Sequence, residues 1–275
     1  MGETPSVREV GRGESVICLH SSASSGGQWR NLMDRLSSRW RVLAPDLYGY
    51  GKGARNDGLA DFRLDDEFIW LSPVFERAGG RFHLVGHSYG GLVALMTALR
   101  LPSRVQSVVI YEPAAWSIAV HADPVHPGAM EIDRLRRQTI ELVDARQPDS
   151  AAENFVHYWA GPGIWDAMPA DRKLITAQGM AKVRAEFLAE ILGHDSGQSS
   201  LSAFSAITLP VLYLTGSETK AAVRRLAEVL APAFVKARRV DLPGLGHMGP
   251  VTHPDIVNRE VQAFLASQAQ AGRPT

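Results

Sequence analysis

The segment Gly86-His87-Ser88-Tyr89-Gly90 sets one serine between two glycines, after an apolar run and at the start of a helical pattern. That arrangement suits a nucleophile. A hydroxyl attacks an electrophilic carbon only when a base takes its proton, and a sharp strand-to-helix turn holds it clear of the sheet, within reach of such a base. The turn strains the serine backbone and brings the helix close to the preceding strand, so small residues are needed two before and two after it. Gly86 and Gly90 meet that need, and Gly91 adds room. A helix opening at Tyr89 also aims its free N–H groups at the site, where they favour developing negative charge. Five residues of this kind arise by chance in long chains. The strand and helix on either side are what give this match its weight.

Elements that could carry the turn alternate along the chain. Apolar strands are expected at Ser15–Leu19, Arg41–Ala44, Arg81–Gly86, Val105–Tyr111, Pro210–Leu214 and Lys236–Leu242. Helical periodicity is expected near Trp29 to Leu36, Leu64 to Phe75 (interrupted at Pro73), Gly90–Leu101, Ala221–Leu230 and Pro254–Ala266, with a frayed tail from Gln268 to Thr275. Strands separated by helices imply βαβ units, and continuous rather than alternating apolar strands imply a sheet covered on both faces. The expected fold is α/β: a doubly wound, mostly parallel sheet with helices on both faces. Residues 113–208 show helices and loops with almost no strand character, so they are expected to form an inserted helical lid on a core of residues 1–112 and 209–275.

The 275 residues can bury one large core, and 45% apolar with 21% charged residues is ordinary for a globular chain. Lys plus Arg and Asp plus Glu balance at 29 each, so no overall field favours nucleic acid or an acidic membrane surface. The basic runs Arg134-Leu-Arg136-Arg137 and Lys236-Ala-Arg238-Arg239 read as solvated faces. The expected partner is a small-molecule substrate, with no nucleic acid and no membrane, and the chain working as a monomer or homodimer. Cys18 is the single cysteine and reads as a small buried thiol. Gly2 with Ser6 matches a loose myristoylation pattern, but without a second anchoring signal it reads as chance. No secretory leader or membrane span is evident, and the expected location is the cytoplasm.

The chain resembles the α/β-hydrolase superfamily over almost its whole length. The resemblance rests on Leu19-His20-Ser-Ser-Ala, Ala44-Pro-Asp-Leu-Tyr-Gly-Tyr-Gly51, Gly86-His-Ser88-Tyr-Gly-Gly91 and Leu242-Pro-Gly-Leu-Gly-His247, in that order. It implies that Ser88 is the nucleophile and His247, in its Gly-x-Gly-His loop, the base. It also implies an oxyanion hole made by the backbone N–H groups of Tyr89 and Ser22. Relatives usually carry glycine where this chain has Ser21, whose hydroxyl would either join the hole or tighten the loop. The family acid usually ends a Gly-x-x-Asp pattern after the penultimate strand, yet Thr219 stands there. Glu112, ending the strand after the serine turn, is the preferred replacement and Glu218 the alternative. Asp46 and Gly49 are expected to organise a turn.

Of the nine histidines, His20 reads as packing at a strand end, His87 as a variable turn position, and His121 and His126 as residues of a lid loop. No pair has metal-ligand spacing, so neither metal nor cofactor is expected. Trp116, Trp159, Trp165, Tyr158 and His157 read as lid core. The implied reaction is hydrolysis of an ester, lactone or related acyl compound through an acyl-enzyme. Carbon–carbon bond hydrolysis, cofactor-free perhydrolysis, and a receptor that binds without turnover remain as alternatives. Dehalogenases and epoxide hydrolases of this fold need an aspartate where Ser88 stands.

Overall fold

A computed structural model describes residues 4–52 and 59–271; Gly2 and the last four residues of the expected frayed tail lie outside that range. The strands are β1 (Val7–Val10), β2 (Glu14–Leu19), β3 (Trp40–Pro45), β4 (Phe82–His87), β5 (Val105–Tyr111), β6 (Val211–Gly216) and β7 (Ala237–Leu242). They form a seven-stranded sheet in the order β1-β3-β2-β4-β5-β6-β7. All pairings are parallel except β1 with β3. From β2 the chain moves outward to β3, then returns across β2 to β4 and builds the other half. The order therefore reverses between β2 and β4, and crevices at such points hold ligands in open α/β sheets.

Side chains alternate along each buried strand, so the sheet feeds two cores. Val16 and Cys18 of β2 join Val85, Leu212 and Leu214 on one face. There they pack against α1 (Arg30–Leu36) and α12 (Pro254–Ala271). Ile17 and Leu19 face the opposite layer with Leu84, Val108 and Ile110. That layer includes α2 (Leu64–Ala78), α3 (Tyr89–Arg100) and α10 (Ala221–Leu230).

Between β5 and β6 lie α4 (Trp116–Ala122), α5 (Pro127–Asp144), α6 (Pro148–Ala160), α7 (Ile164–Ala167), α8 (Ala170–Asp195) and α9 (Leu201–Ser205), and no strand. Their apolar residues continue the second core.

Three expectations need correction. Helix α2 passes through Pro73 without a break. The carbonyl of Ile69, which loses its helical donor to the proline ring, is capped instead by the Ser72 hydroxyl at 2.8 Å. The antiparallel edge strand β1 carries no strong pattern because it is short and only partly buried. Residues Gln268 to Ala271, expected to fray, continue α12.

Candidate active site

Ser88 sits between β4 and α3 with φ 53° and ψ −118°, a left-handed conformation rare outside glycine. The strain is held from all sides. Ser88 N–H donates to the Tyr111 carbonyl at 3.0 Å, and its own carbonyl accepts from Gly91, Leu92 and Ala114. The flanking glycines are sterically required. A Cβ on Gly86 would lie 2.3 Å from the Gly90 carbonyl oxygen, and one on Gly90 would lie 2.2 Å from that of Leu19.

Ser88 Oγ and His247 Nε2 are 3.0 Å apart, and His247 Nδ1 is 2.7 Å from Glu112 Oε2. All three residues are buried. The network assigns the tautomer: Nδ1–H donates to Glu112, which leaves Nε2 to accept from the serine hydroxyl. Glu112 has φ 47°, another left-handed position outside glycine. Its Oε1 accepts from Gly216 N–H at 2.8 Å, and its Oε2 also accepts from the Thr219 hydroxyl at 2.9 Å. Thr219, where the superfamily pattern expects the acid, thus grips the carboxylate that reaches the same place from β5. Glu218 is exposed, and its backbone N–H bonds to the Leu245 carbonyl.

The other half of the site is the loop after β2. Ser21 N–H and Oγ both donate to Gln28 Oε1, at 3.1 and 3.0 Å, so the Ser21 hydroxyl tightens the loop. Gln28 Nε2 reaches His87 Nδ1 at 3.1 Å, and His87 Nε2 donates to the His247 carbonyl at 2.8 Å. Burial holds the His87 pKa well below its ordinary value, and the nearby His247 adds to that shift. A neutral strut therefore joins the loop of Ser22 to the loop of His247. Neither His87, at a variable turn position, nor Gln28 has a sequence pattern that reveals the link.

Ser22 Oγ donates to Glu186 Oε2 at 2.5 Å. Tyr89, the residue after the nucleophile, donates its phenol to Glu67 Oε2 at 3.0 Å. Lys182, from α8, lies between the two carboxylates, 3.0 Å from Glu67 Oε2 and 3.2 Å from Glu186 Oε1. Its ammonium also sits 4.0 Å from the Phe62 ring centroid. The side chains of both residues expected to supply oxyanion donors are thereby anchored to one buried cation. Elsewhere, Asp46 Oδ1 accepts from Gly26 N–H at 2.8 Å and Oδ2 from Lys52 N–H at 3.0 Å, the turn-organising part expected of it. His20 Nε2 accepts from Leu47 N–H at 2.9 Å, which ties two strand ends.

A cavity of about 420 Å³ opens over Ser88 and His247, walled by Phe155, Val156, Trp159, Ile164 and Met168 from the inserted helices. A second recess of about 20 Å³, beside Ser88, meets Trp116, Glu186 and Glu190. The reading of the aromatics as lid core alone needs correction for two of them. The Trp159 ring lies 4.0 Å from the His247 ring between centroids, and Trp116 lies 6.4 Å away. Trp159 thus covers one side of the His247 imidazole.

Serine, histidine and the carboxylate all stand at the carboxyl ends of parallel strands or in the loops beyond them, the place and the groups of a hydrolase. The chain belongs to the alpha/beta hydrolase family, whose model matches residues 16–260. It is 24% identical over 276 residues to the 2-hydroxy-6-oxo-6-(2'-aminophenyl)hexa-2,4-dienoic acid hydrolase of Metapseudomonas resinovorans, covering 96% of this chain and 88% of that one. It is 25% identical to carboxylesterase YbfK of Bacillus subtilis, over 91% of this chain and 80% of the relative. Its fold is similar to that of a thermophilic esterase from Thermogutta terrifontis, with a TM-score of 0.74 and 21% identity over 96% of this chain and 93% of the other. Among the described residues, no helix is long and apolar enough to cross a membrane.

Proposed function

We propose that this hydrolase cleaves an ester, a lactone or a related acyl compound through an acyl-enzyme on Ser88. The observation that carries the reading is the unbroken chain from Ser88 Oγ through His247 to Glu112, with both hydrogen bonds at 3.0 Å or less. Ser88 Oγ bonds to the acyl carbon as its proton passes to His247 Nε2. The carbonyl oxygen becomes an oxyanion held by the N–H groups of Tyr89 and Ser22. His247 then gives the proton to the leaving group, and the acyl bond to that group breaks. Water repeats the sequence, giving its proton to His247 and releasing the acid. Glu112 keeps Nδ1 protonated and stabilises the imidazolium.

In this reading residues 113–208 are a lid whose α6 and α7 wall the substrate cavity. At about 420 Å³, lined mainly by apolar side chains, that cavity fits a small to medium apolar substrate with few polar groups. Carbon–carbon bond hydrolysis is the second reading, favoured by the near full-length similarity to the dienoic acid hydrolase.

Turnover of a small aryl ester by wild type and Ser88→Ala tests the proposal. The expected loss in kcat is on the order of 10⁶-fold. Full turnover by the variant would sink it. Covalent labelling of wild type by a fluorophosphonate without catalytic cycling on ester, lactone and vinylogous diketone panels would instead indicate a receptor.

A further inference from the structure

The sequence offers no metal-ligand spacing, but two helices of the inserted segment bring together three groups that are scattered along the chain. His121 lies in the last turn of α4, and His194 and Asp195 end α8. One ligand atom from each lies within 4.8 Å of the other two. Asp195 Oδ1 is 3.8 Å from His121 Nε2 and 3.7 Å from His194 Nδ1. Those separations are too long for hydrogen bonds. They are close to the edge of a metal tetrahedron, since ligands about 2.0–2.1 Å from the ion stand about 3.3 Å from one another. Those two separations exceed that edge by about half an ångström or less.

Two further features suit an ion. His194 Nδ1 is buried with no hydrogen-bond partner, a state that costs free energy unless something fills it. His121 Nδ1–H donates to the Ser117 carbonyl at 2.8 Å, which fixes the tautomer and leaves the Nε2 lone pair free on the Asp195 side. The two imidazole rings are stacked, 3.9 Å between centroids and 22° between planes, so their in-plane lone pairs run nearly parallel and sharing one ion requires the half-exposed His121 ring to turn out of the stack.

We propose that His121, His194 and Asp195 bind a first-row transition-metal dication of the zinc type, clamping the ends of α4 and α8 together. Two imidazoles and a carboxylate suit Zn²⁺, Ni²⁺ or Cu²⁺ and disfavour Mg²⁺ and Ca²⁺. The side chains of His121 and Asp195 are 52% and 56% exposed, which gives the ion an entry path and leaves water to complete its coordination. The same helices reach the reaction site. Ser117, which orients His121, donates from its N–H and hydroxyl to Glu190 at 2.8 and 2.7 Å, and Glu190 borders the recess beside Ser88. The clamp is thus a brace for the wall of the site and takes no part in the chemistry.

The test uses chelator-treated full-length protein without a histidine tag. Co²⁺ is titrated in while its visible d–d absorption is followed, and Zn²⁺ is titrated in competition with a chromophoric chelator. One equivalent of Zn²⁺ and the intense bands of near-tetrahedral Co²⁺ are expected. His121→Ala and His194→Ala should each weaken binding about tenfold or more, and so should Asp195→Asn. His121 and Asp195 are half exposed, so their variants should keep the wild-type circular dichroism spectrum and aryl-ester turnover without added metal. Failure to bind one equivalent, or wild-type affinity in either histidine variant, overturns the proposal. The metal-binding readouts do not depend on the identity of the nucleophile.

Discussion

Glu112 illustrates how a candidate catalytic carboxylate can be held where no loop motif announces it. Its Oε2 accepts from both His247 and Thr219, and its Oε1 from the Gly216 amide, so the charge is satisfied without solvent. Glu112→Gln leaves the shape intact but can present an amide donor to Nδ1, favouring the wrong imidazole tautomer. Its kcat on an aryl ester should fall about 10⁴-fold, while Glu218→Gln stays at the wild-type value. Thr219→Val removes a single donor to the carboxylate and should cost about tenfold in the same assay. Aspartate at 219 in the Glu112→Gln background should restore part of the lost kcat, because Thr219 Oγ1 already stands 2.9 Å from Glu112 Oε2. No recovery would mean that the loop cannot present an acid to His247. Ser88 stood out through its glycine spacing, and His247 and Glu112 through the superfamily resemblance; the structure brings the three together. The struts Gln28, His87 and Lys182 were not legible, since each takes its meaning from partners that only folding brings near.

At the scale of elements, helix α8 binds the inserted segment to the core through Lys182, whose ammonium has no exposure to solvent. It neutralises Glu67 of α2 and, one turn further along α8, Glu186. Lys182→Met keeps the long apolar stem among Tyr50, Phe62 and Tyr89 but leaves two buried carboxylates without their cation. Breaking a buried pair from one side costs about 3–5 kcal/mol, so urea denaturation should show a stability loss of that order. A loss below about 1 kcal/mol would mean that water or a proton replaces the lysine readily. The alternation of strands and helices gave the sheet its expected form because buried parallel strands are continuous apolar runs. Pro73 misled for a local reason, the Ser72 hydroxyl on the freed carbonyl. Strand β1 escaped because an edge strand only partly buried need not be apolar.

For the whole molecule, the helices over the site bring a second carboxylate into its wall, and that group couples global stability to pH. Glu190 is 2% exposed; its carboxylate accepts from Ser117 N–H and Oγ and faces Arg136 Nη1 at 3.9 Å. Burial outweighs these contacts and raises its pKa from 4.5 to about 7. Below pH 4.5 the carboxyl is protonated in folded and unfolded chains alike, and its burial costs least there. Between pH 4.5 and about 7 the unfolded chain holds fewer protons than the folded one, so this group's contribution to stability falls as pH rises. Above that window the loss is complete, at most about 3 kcal/mol for a shift of this size. His20 and His87, both buried with lowered pKa values, act in the opposite sense: they lose stability as pH falls through the ordinary histidine range. The wild-type curve therefore mixes the two, and the difference from Glu190→Gln isolates the carboxylate. The glutamine keeps an acceptor for Ser117 and cannot ionise. Denaturant midpoints measured from pH 4 to 9 should show the variant gaining on wild type as pH rises to about 7, then holding a constant advantage. A difference that does not change with pH would mean that Glu190 stays ionised in the folded protein, with Arg136 supplying more compensation than its distance implies.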